Sequence, residues 1–306
     1  MLARNGLSKV FLRMGQTRAG MTRRAVLGAS ALLLPVPGLA ADENYDSAGR
    51  KLLAMERQLG LHINLAALDT GNGNSIFFRE SERVLMCSTF KVMLVAATLA
   101  RVDGGHENLD RMIHYQHGDL LDYAPETAKN LARGMSVGEL CAAAVTLSDN
   151  SAANLLYAGV GGPAGLTRYV RGLGDSRTHF DRMEGALNTP DGELDTTTPS
   201  AMLANLKDIL LDDSLSASSR KLLTDWMIAC TTGVTRLRAG LPSGWRVGDK
   251  TGSGGIGQLN DIAILWPPGN RKPILVCAYT QGNKPDDATD DHALADIGKL
   301  ISERFA

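Results

Sequence analysis

Apolar positions along this chain change their spacing twice. Leu52, Leu53 and Met55 give one face of a helix that Asp46 or Ser47 can cap and Gly60 ends. Leu61, Ile63, Leu65 and Ala67 then alternate with their neighbours, as a strand does. Gly71-Asn72-Gly73-Asn74 turns the chain into a second strand around Ile76 to Arg79, making a hairpin. Between Phe90 and Leu99 only Lys91 is charged and only Thr98 is otherwise polar. A helix apolar all round is a buried helix, so this one is expected to run through the core. The spacing stays helical to about residue 229. Ser136 with Glu139 is a capping box that opens a helix through Leu147. Further helices are expected over about 151–158, 163–173, 199–211 and 217–229, with Thr198 capping the 199–211 helix and Pro199 in its first turn. From Trp245 the period returns to two. Trp245 to Thr251, Gln258 to Trp266 and Ile274 to Gln281 read as strands, before a last helix carrying Leu294, Ile297, Leu300 and Ile301. Strands at both ends with helices between predict an α/β (α+β) chain, one sheet built from the two ends with a helical region inserted. The expected division is 42–83 and 230–306 for the sheet region and 84–229 for the helical one.

Composition places this chain among soluble globular proteins: 306 residues, 44% hydrophobic and 21% charged. The net charge of −1 hides an asymmetry. Residues 1–41 carry six basic side chains and no acid, which leaves 26 basic and 33 acidic residues, a net of −7, for the remainder. That balance argues against a nucleic-acid partner. Thr22-Arg23-Arg24 precedes a short apolar run ending near Leu34, then Pro35, Pro37 and the small residues Gly38, Ala40 and Ala41. This is the layout of an export signal, too short to span a bilayer, and it predicts a periplasmic protein. The paired arginines suggest the twin-arginine route, with a general secretory signal as the alternative. Met21 stands where a conventional signal would begin; peptides from residues 1 to 20 in the precursor would refute a start there.

The buried helix holds the first candidate chemistry. Ser88 stands at its mouth, where serine is a favoured cap and backbone N–H groups are unpaired. Lys91 lies one turn up on the same face. A lysine on such a helix needs polar partners or loses its charge. It can then act as a base toward the Ser88 hydroxyl, making that oxygen a nucleophile. Taken alone, the pair also fits an ordinary cap with a snorkelling lysine. Two further motifs change the balance: Ser148-Asp149-Asn150 between two helices and Lys250-Thr251-Gly252 on a strand. Ser-x-x-Lys, Ser-Asp-Asn and Lys-Thr-Gly in this order are the signature of class A β-lactamases and penicillin-binding proteins. From about Asp46 to the C-terminus the chain closely resembles a class A serine β-lactamase.

The resemblance implies a five-stranded antiparallel sheet flanked by the N- and C-terminal helices, beside an all-helical domain, with the site in the cleft. It implies that Ser88 is acylated by a β-lactam, with Lys91 assisting and the backbone N–H groups of Ser88 and Ser253 binding the oxyanion. Ser148 would relay a proton to the leaving nitrogen, Asn150 would bind the substrate's side-chain amide and Asp149 would hold the loop. Lys250 and Thr251 suit the substrate carboxylate. Arg236 matches a position where several relatives place a second cation, the more usual one falling near Leu259 here; a surface arginine is the alternative. Tyr123 matches an aromatic of the cleft wall. Glu184 and Asn188 resemble the pair that holds and deprotonates the deacylating water, and Arg182 with Asp195 the ion pair anchoring their loop. Two departures stand out: Asn188 to Asp195 is about two residues short, and Gly185 replaces a larger residue or proline. Some relatives pair the cysteine before the nucleophile with one after Lys-Thr-Gly, where this chain has Gly254 or Gly255. A second familiar bridge would join Cys141 to a position near Val95. No disulfide is therefore expected among Cys87, Cys141, Cys230 and Cys277. The sequence contains no metal-ligand cluster, and no cofactor is expected; the partners are a small β-lactam and water, acting on a monomer. A small penicillin-binding protein would not need Glu184 and Asn188, and a β-lactam sensor would need a membrane-spanning segment.

Overall fold

A computed structural model describes residues 45–282 and 287–305; the export signal expected in residues 1–41 lies outside them. Helix α1 (Ser47–Leu59) is capped by the Asp46 carboxylate, which accepts from Gly49 N, and ends at Gly60 in the left-handed conformation. β1 (Leu61–Asp69) and β2 (Ser75–Phe78) form the expected hairpin. The second strand stops one residue early because Arg79 takes a positive φ of 48° and leaves the ladder. A two-residue strand β3 (Val84–Leu85) leads into a single 3-10 turn, Cys87–Thr89, and then into α2 (Phe90–Asp103). Ten consecutive residues of α2, Phe90 through Leu99, are buried, Lys91 among them.

The expectation of continuous helix after this point is corrected. Residues 104–136 are mostly irregular, with short strands β4 (Met112–Ile113) and β5 (Met135–Ser136) paired to each other. Helical periodicity lapses there, and Gly105 and Gly134 take positive φ in the turns. Then follow α3 (Val137–Thr146), α4 (Asn150–Val160) and α5 (Gly162–Gly172), the first opened by the Ser136–Glu139 capping box. A long loop reaches β6 (Thr196–Thr197), which pairs with β3. Helices α6 (Pro199–Leu210) and α7 (Ala217–Ile228) come next, α6 with Thr198 as cap.

Strands β7 (Arg246–Ser253), β8 (Gln258–Trp266) and β9 (Ile274–Gly282), then helix α8 (Asp287–Arg304), complete the chain. The sheet order is β2-β1-β9-β8-β7, antiparallel throughout, so strands from the two ends of the chain meet at β1 and β9. β7 extends to Ser253, two residues past the expected limit, because its pairing with β8 continues to Ser253↔Leu259. Two apolar cores lie against this sheet. One is built around α2 with the other central helices; the second holds Leu52, Leu294, Ile297 and Ile301, from α1 and α8. The site therefore sits where α2 meets the β7 edge.

Candidate active site

The 3-10 turn brings Ser88 to the floor of a cleft, close against β7. That approach depends on Gly252: a Cβ there would come within 2.8 Å of the Met86 carbonyl and 3.1 Å of Ser88 N. Cys87 holds a positive φ of 47°, a strained conformation for a side-chain residue. Ser88 does not cap α2, contrary to expectation. Its hydroxyl instead accepts from Lys91 Nζ at 3.0 Å and donates to Glu184 Oε1 at 3.2 Å.

Lys91 is fully buried and bonded only to oxygen. Besides Ser88 Oγ, its ammonium reaches Glu184 Oε1 (2.8 Å), Ser148 O (2.8 Å), Ser148 Oγ (3.3 Å) and Asn150 Oδ1 (2.6 Å). Three protons cannot serve five acceptors at once, so these oxygens compete for the ammonium's donors. Burial lowers the affinity of this amine for its proton, and the Glu184 charge pulls it partly back.

Ser148 sits between α3 and α4 with φ 60°, its carbonyl held by Lys91. Its Oγ also accepts from Lys250 Nζ at 2.9 Å. Lys250 is buried behind this hydroxyl, and its second contact is the Thr251 carbonyl at 2.7 Å. Burial first, then the positive charge of Lys91, brings the Lys250 ammonium down to about 7. Asp149 caps α4 through Ala152 N and accepts from Glu126 N, Thr127 N and the Thr127 hydroxyl, fixing the preceding loop. Asn150 N donates to the Tyr123 carbonyl, which sets the half-exposed Tyr123 ring at the cleft wall.

Arg236 is buried. Its Nε meets Asp291 at 2.9 Å, one terminal nitrogen donates to the carbonyls of Gly252 and Asn260, and the other donates to Ser253 Oγ at 2.8 Å. The surface-arginine alternative is thereby ruled out. Ser88, Ser148, Asn150, Asn188, Arg236, Thr251 and Ser253 all line the cleft.

The long loop carries Glu184 in from the opposite side. Its carboxylate is buried, and Asn188 Nδ2 lies 3.4 Å from Oε2. Asn188 Oδ1 is buried with no protein donor. The loop's anchor is Asp195, which accepts from Asp181 N, Arg182 N and Arg182 Nε, the last at 2.5 Å. Arg182 also donates to Thr189 O, bracing the shortened segment. Gly185 takes φ 99°, a conformation that a side chain would strain.

Three residues at the site were not singled out by sequence. Asn154 brackets Glu184, accepting from its N–H and donating to its carbonyl. It lies four residues after Asn150 on α4, the same helix face, a spacing that could have pointed to it. Thr232 lines the cleft and meets Thr251 Oγ1 at 2.6 Å. Asn260, buried on β8, donates to the carbonyls of Leu85 and Met86. The four cysteines are buried free thiols. Among the described residues no cluster of acidic, histidine or cysteine side chains could hold a metal ion, and no helix is long and apolar enough to cross a membrane.

The model of the β-lactamase enzyme family matches residues 48–305. An ancestral class A β-lactamase is 52% identical, covering 84% of this chain and 100% of its own, with a TM-score of 0.82. The class A β-lactamase of the last common ancestor of Gram-negative bacteria is 50% identical, over 85% and 100%, with a TM-score of 0.83. One from Mycobacterium abscessus is 43% identical, over 84% and 99%, at 0.82. This chain belongs to the class A β-lactamases. It is a hydrolase acting on β-lactams, an activity that confers antibiotic resistance. The five-stranded antiparallel sheet is the β-lactamase fold of these neighbours.

Proposed function

We propose that this enzyme opens penicillins and cephalosporins through an acyl-enzyme on Ser88 that water hydrolyses with Glu184 as base. The observation that carries this reading is the double contact of Ser88 Oγ, with Lys91 on one side and Glu184 on the other. Ser88 Oγ attacks the lactam carbonyl, and its proton passes into the Lys91–Glu184 pair. The N–H groups of Ser88 and Ser253 hold the oxyanion; removing one such donor typically costs about 3 kcal/mol. As the C–N bond breaks, the nitrogen takes a proton from Ser148, which the amines of Lys91 and Lys250 both face. Arg236, Lys250 and Thr251 attract the substrate carboxylate, while Asn150 and Tyr123 receive its side chain.

In the second half, a water between Glu184 and Asn188 attacks the ester. Glu184 takes one of its protons, Asn188 Oδ1 is free to accept the other, and the departing Ser88 Oγ recovers a proton. A penicillin-binding protein needs no such loop base, and a sensor would stay acylated. Sustained nitrocefin turnover supports the hydrolase, whereas a single stoichiometric burst would defeat it. Glu184→Ala is expected to accumulate acyl-enzyme, seen as a mass gain with benzylpenicillin, and Ser88→Ala to gain none. Parental turnover by Glu184→Ala would overturn the assignment of the base. We further propose that residues 1–41 direct the enzyme to the periplasm, where it acts as a monomer; fractionation and size-exclusion chromatography test these points.

A further inference from the structure

The nucleophile turn is fastened to the sheet by one side chain outside all three motifs. Asn260 is 1% exposed and stands directly opposite Gly252 in the β7–β8 ladder, so the two residues face the same way. Gly252 has no side chain, and the turn moves into that space. Asn260 Nδ2 then reaches across, donating to Leu85 O at 2.9 Å and Met86 O at 3.2 Å. These two carbonyls immediately precede Cys87, whose left-handed backbone aims the next N–H, that of Ser88. Thr89 also holds Met86 O, through its hydroxyl at 2.8 Å. The same Asn260 works on the far side of the oxyanion site through its own carbonyl. That oxygen accepts from Arg236, whose guanidinium also bonds Gly252 O and Ser253 Oγ.

We propose that Asn260 is the positioning residue of the oxyanion site, its amide setting the peptide that presents Ser88 N–H and its carbonyl setting, through Arg236, the strand that presents Ser253 N–H. The proposal rests on the reading of Ser88 as nucleophile. Two donors are useful only when both point at one oxygen, and a displacement of about 1 Å in such geometry can cost roughly 10²-fold. Without the Asn260 amide, Leu85 O loses a donor, Met86 O keeps only Thr89, and the strained Cys87 backbone is free to relax.

The test uses a boronic acid, which bonds to Ser88 Oγ and places a boron-bound oxygen between the two N–H groups. Asn260→Leu and Asn260→Ala are compared with the parent, with inhibition constants for phenylboronic acid corrected for active sites titrated. The expected result is a loss of boronate affinity of about tenfold or more, with acylation and deacylation rates slowed together. Glu184→Ala, in contrast, should slow deacylation selectively. A lowered Tm with parental boronate affinity per active site, in either variant, would overturn the proposal, as would failure of both variants to fold, which would make Asn260 a residue of stability alone. If the parent itself forms no boronate adduct at Ser88, it is the nucleophile assignment that fails.

Discussion

Lys250 holds its charge in a place that barely tolerates it. With its ammonium at about 7, the free enzyme keeps this cation below neutrality and loses it above. kcat/KM for an anionic penicillin should therefore fall through an alkaline limb near 7, and the pH profile of kcat/KM checks it. A profile flat from about pH 6 to about 9 would show that Lys250 either keeps its proton through that range or does not bind the carboxylate. Stability moves the other way. An unfolded lysine keeps its proton up to about 10.5, so between about 7 and about 10.5 the unfolded chain binds more protons and stability rises with pH. Below that window the burial penalty is present in full. The Tm of the parent relative to Lys250→Met should climb across it. Cys87 is the converse case: burial, reinforced by the Glu184 charge, pushes its thiol up to about 12. Although it adjoins the nucleophile, it should resist iodoacetamide in the native protein and react only on unfolding, read by mass spectrometry. At this scale Ser88, Lys91, Ser148, Glu184 and Lys250 were legible because each lies in a short motif that carries the family resemblance. Thr232 and Asn260 were not, because their partners are brought close only by the fold.

Among the elements, the loop from α5 to β6 is anchored by the Arg182–Asp195 ion pair. Arg182→Ala removes a charged donor from the nearly buried Asp195, at a cost of roughly 1–3 kcal/mol. Urea unfolding should register that loss. Because Glu184 rides on the loop while Ser88 does not, deacylation should suffer more than acylation, and the steady-state acylated fraction should rise. An unchanged fraction would separate the anchor from the chemistry. The main helices and the five sheet strands were legible from periodicity and caps, as with Ser136–Glu139 and Thr198. The pairs β3–β6 and β4–β5 were not. Two-residue strands carry no period, and their partners lie 22 residues or more away in the chain. The segment between Asn188 and Asp195 is short, and Arg182 braces it by bonding both Asp195 and Thr189 O.

Across the whole molecule, α8 closes over the turn that carries Arg236. Any Cβ at Gly298 would run into the Leu237 carbonyl, and one at Gly240 would meet the Ala295 carbonyl, so the two segments touch backbone to backbone. Gly298→Ala should lower stability by about 1–3 kcal/mol or more. It should also loosen the Asp291 hold on Arg236, raising KM for a carboxylate-bearing substrate; thermal melts and steady-state kinetics check the two effects. The interleaving of early and late strands was foreseeable from their placement in the chain, whereas the β1–β9 contact was specified only by the fold. The two ends of the folded body also lie side by side: Lys51 on α1 pairs with Glu303 on α8 at 2.8 Å. A short flexible linker from Phe305 back to Tyr45 should thus need little rearrangement, and the polypeptide could be reopened at the exposed Asn72–Gly73 hairpin tip. Such a circular permutant would keep every residue of the cleft while moving α1 and β1 from the start of synthesis to its end, after the helices and the late strands.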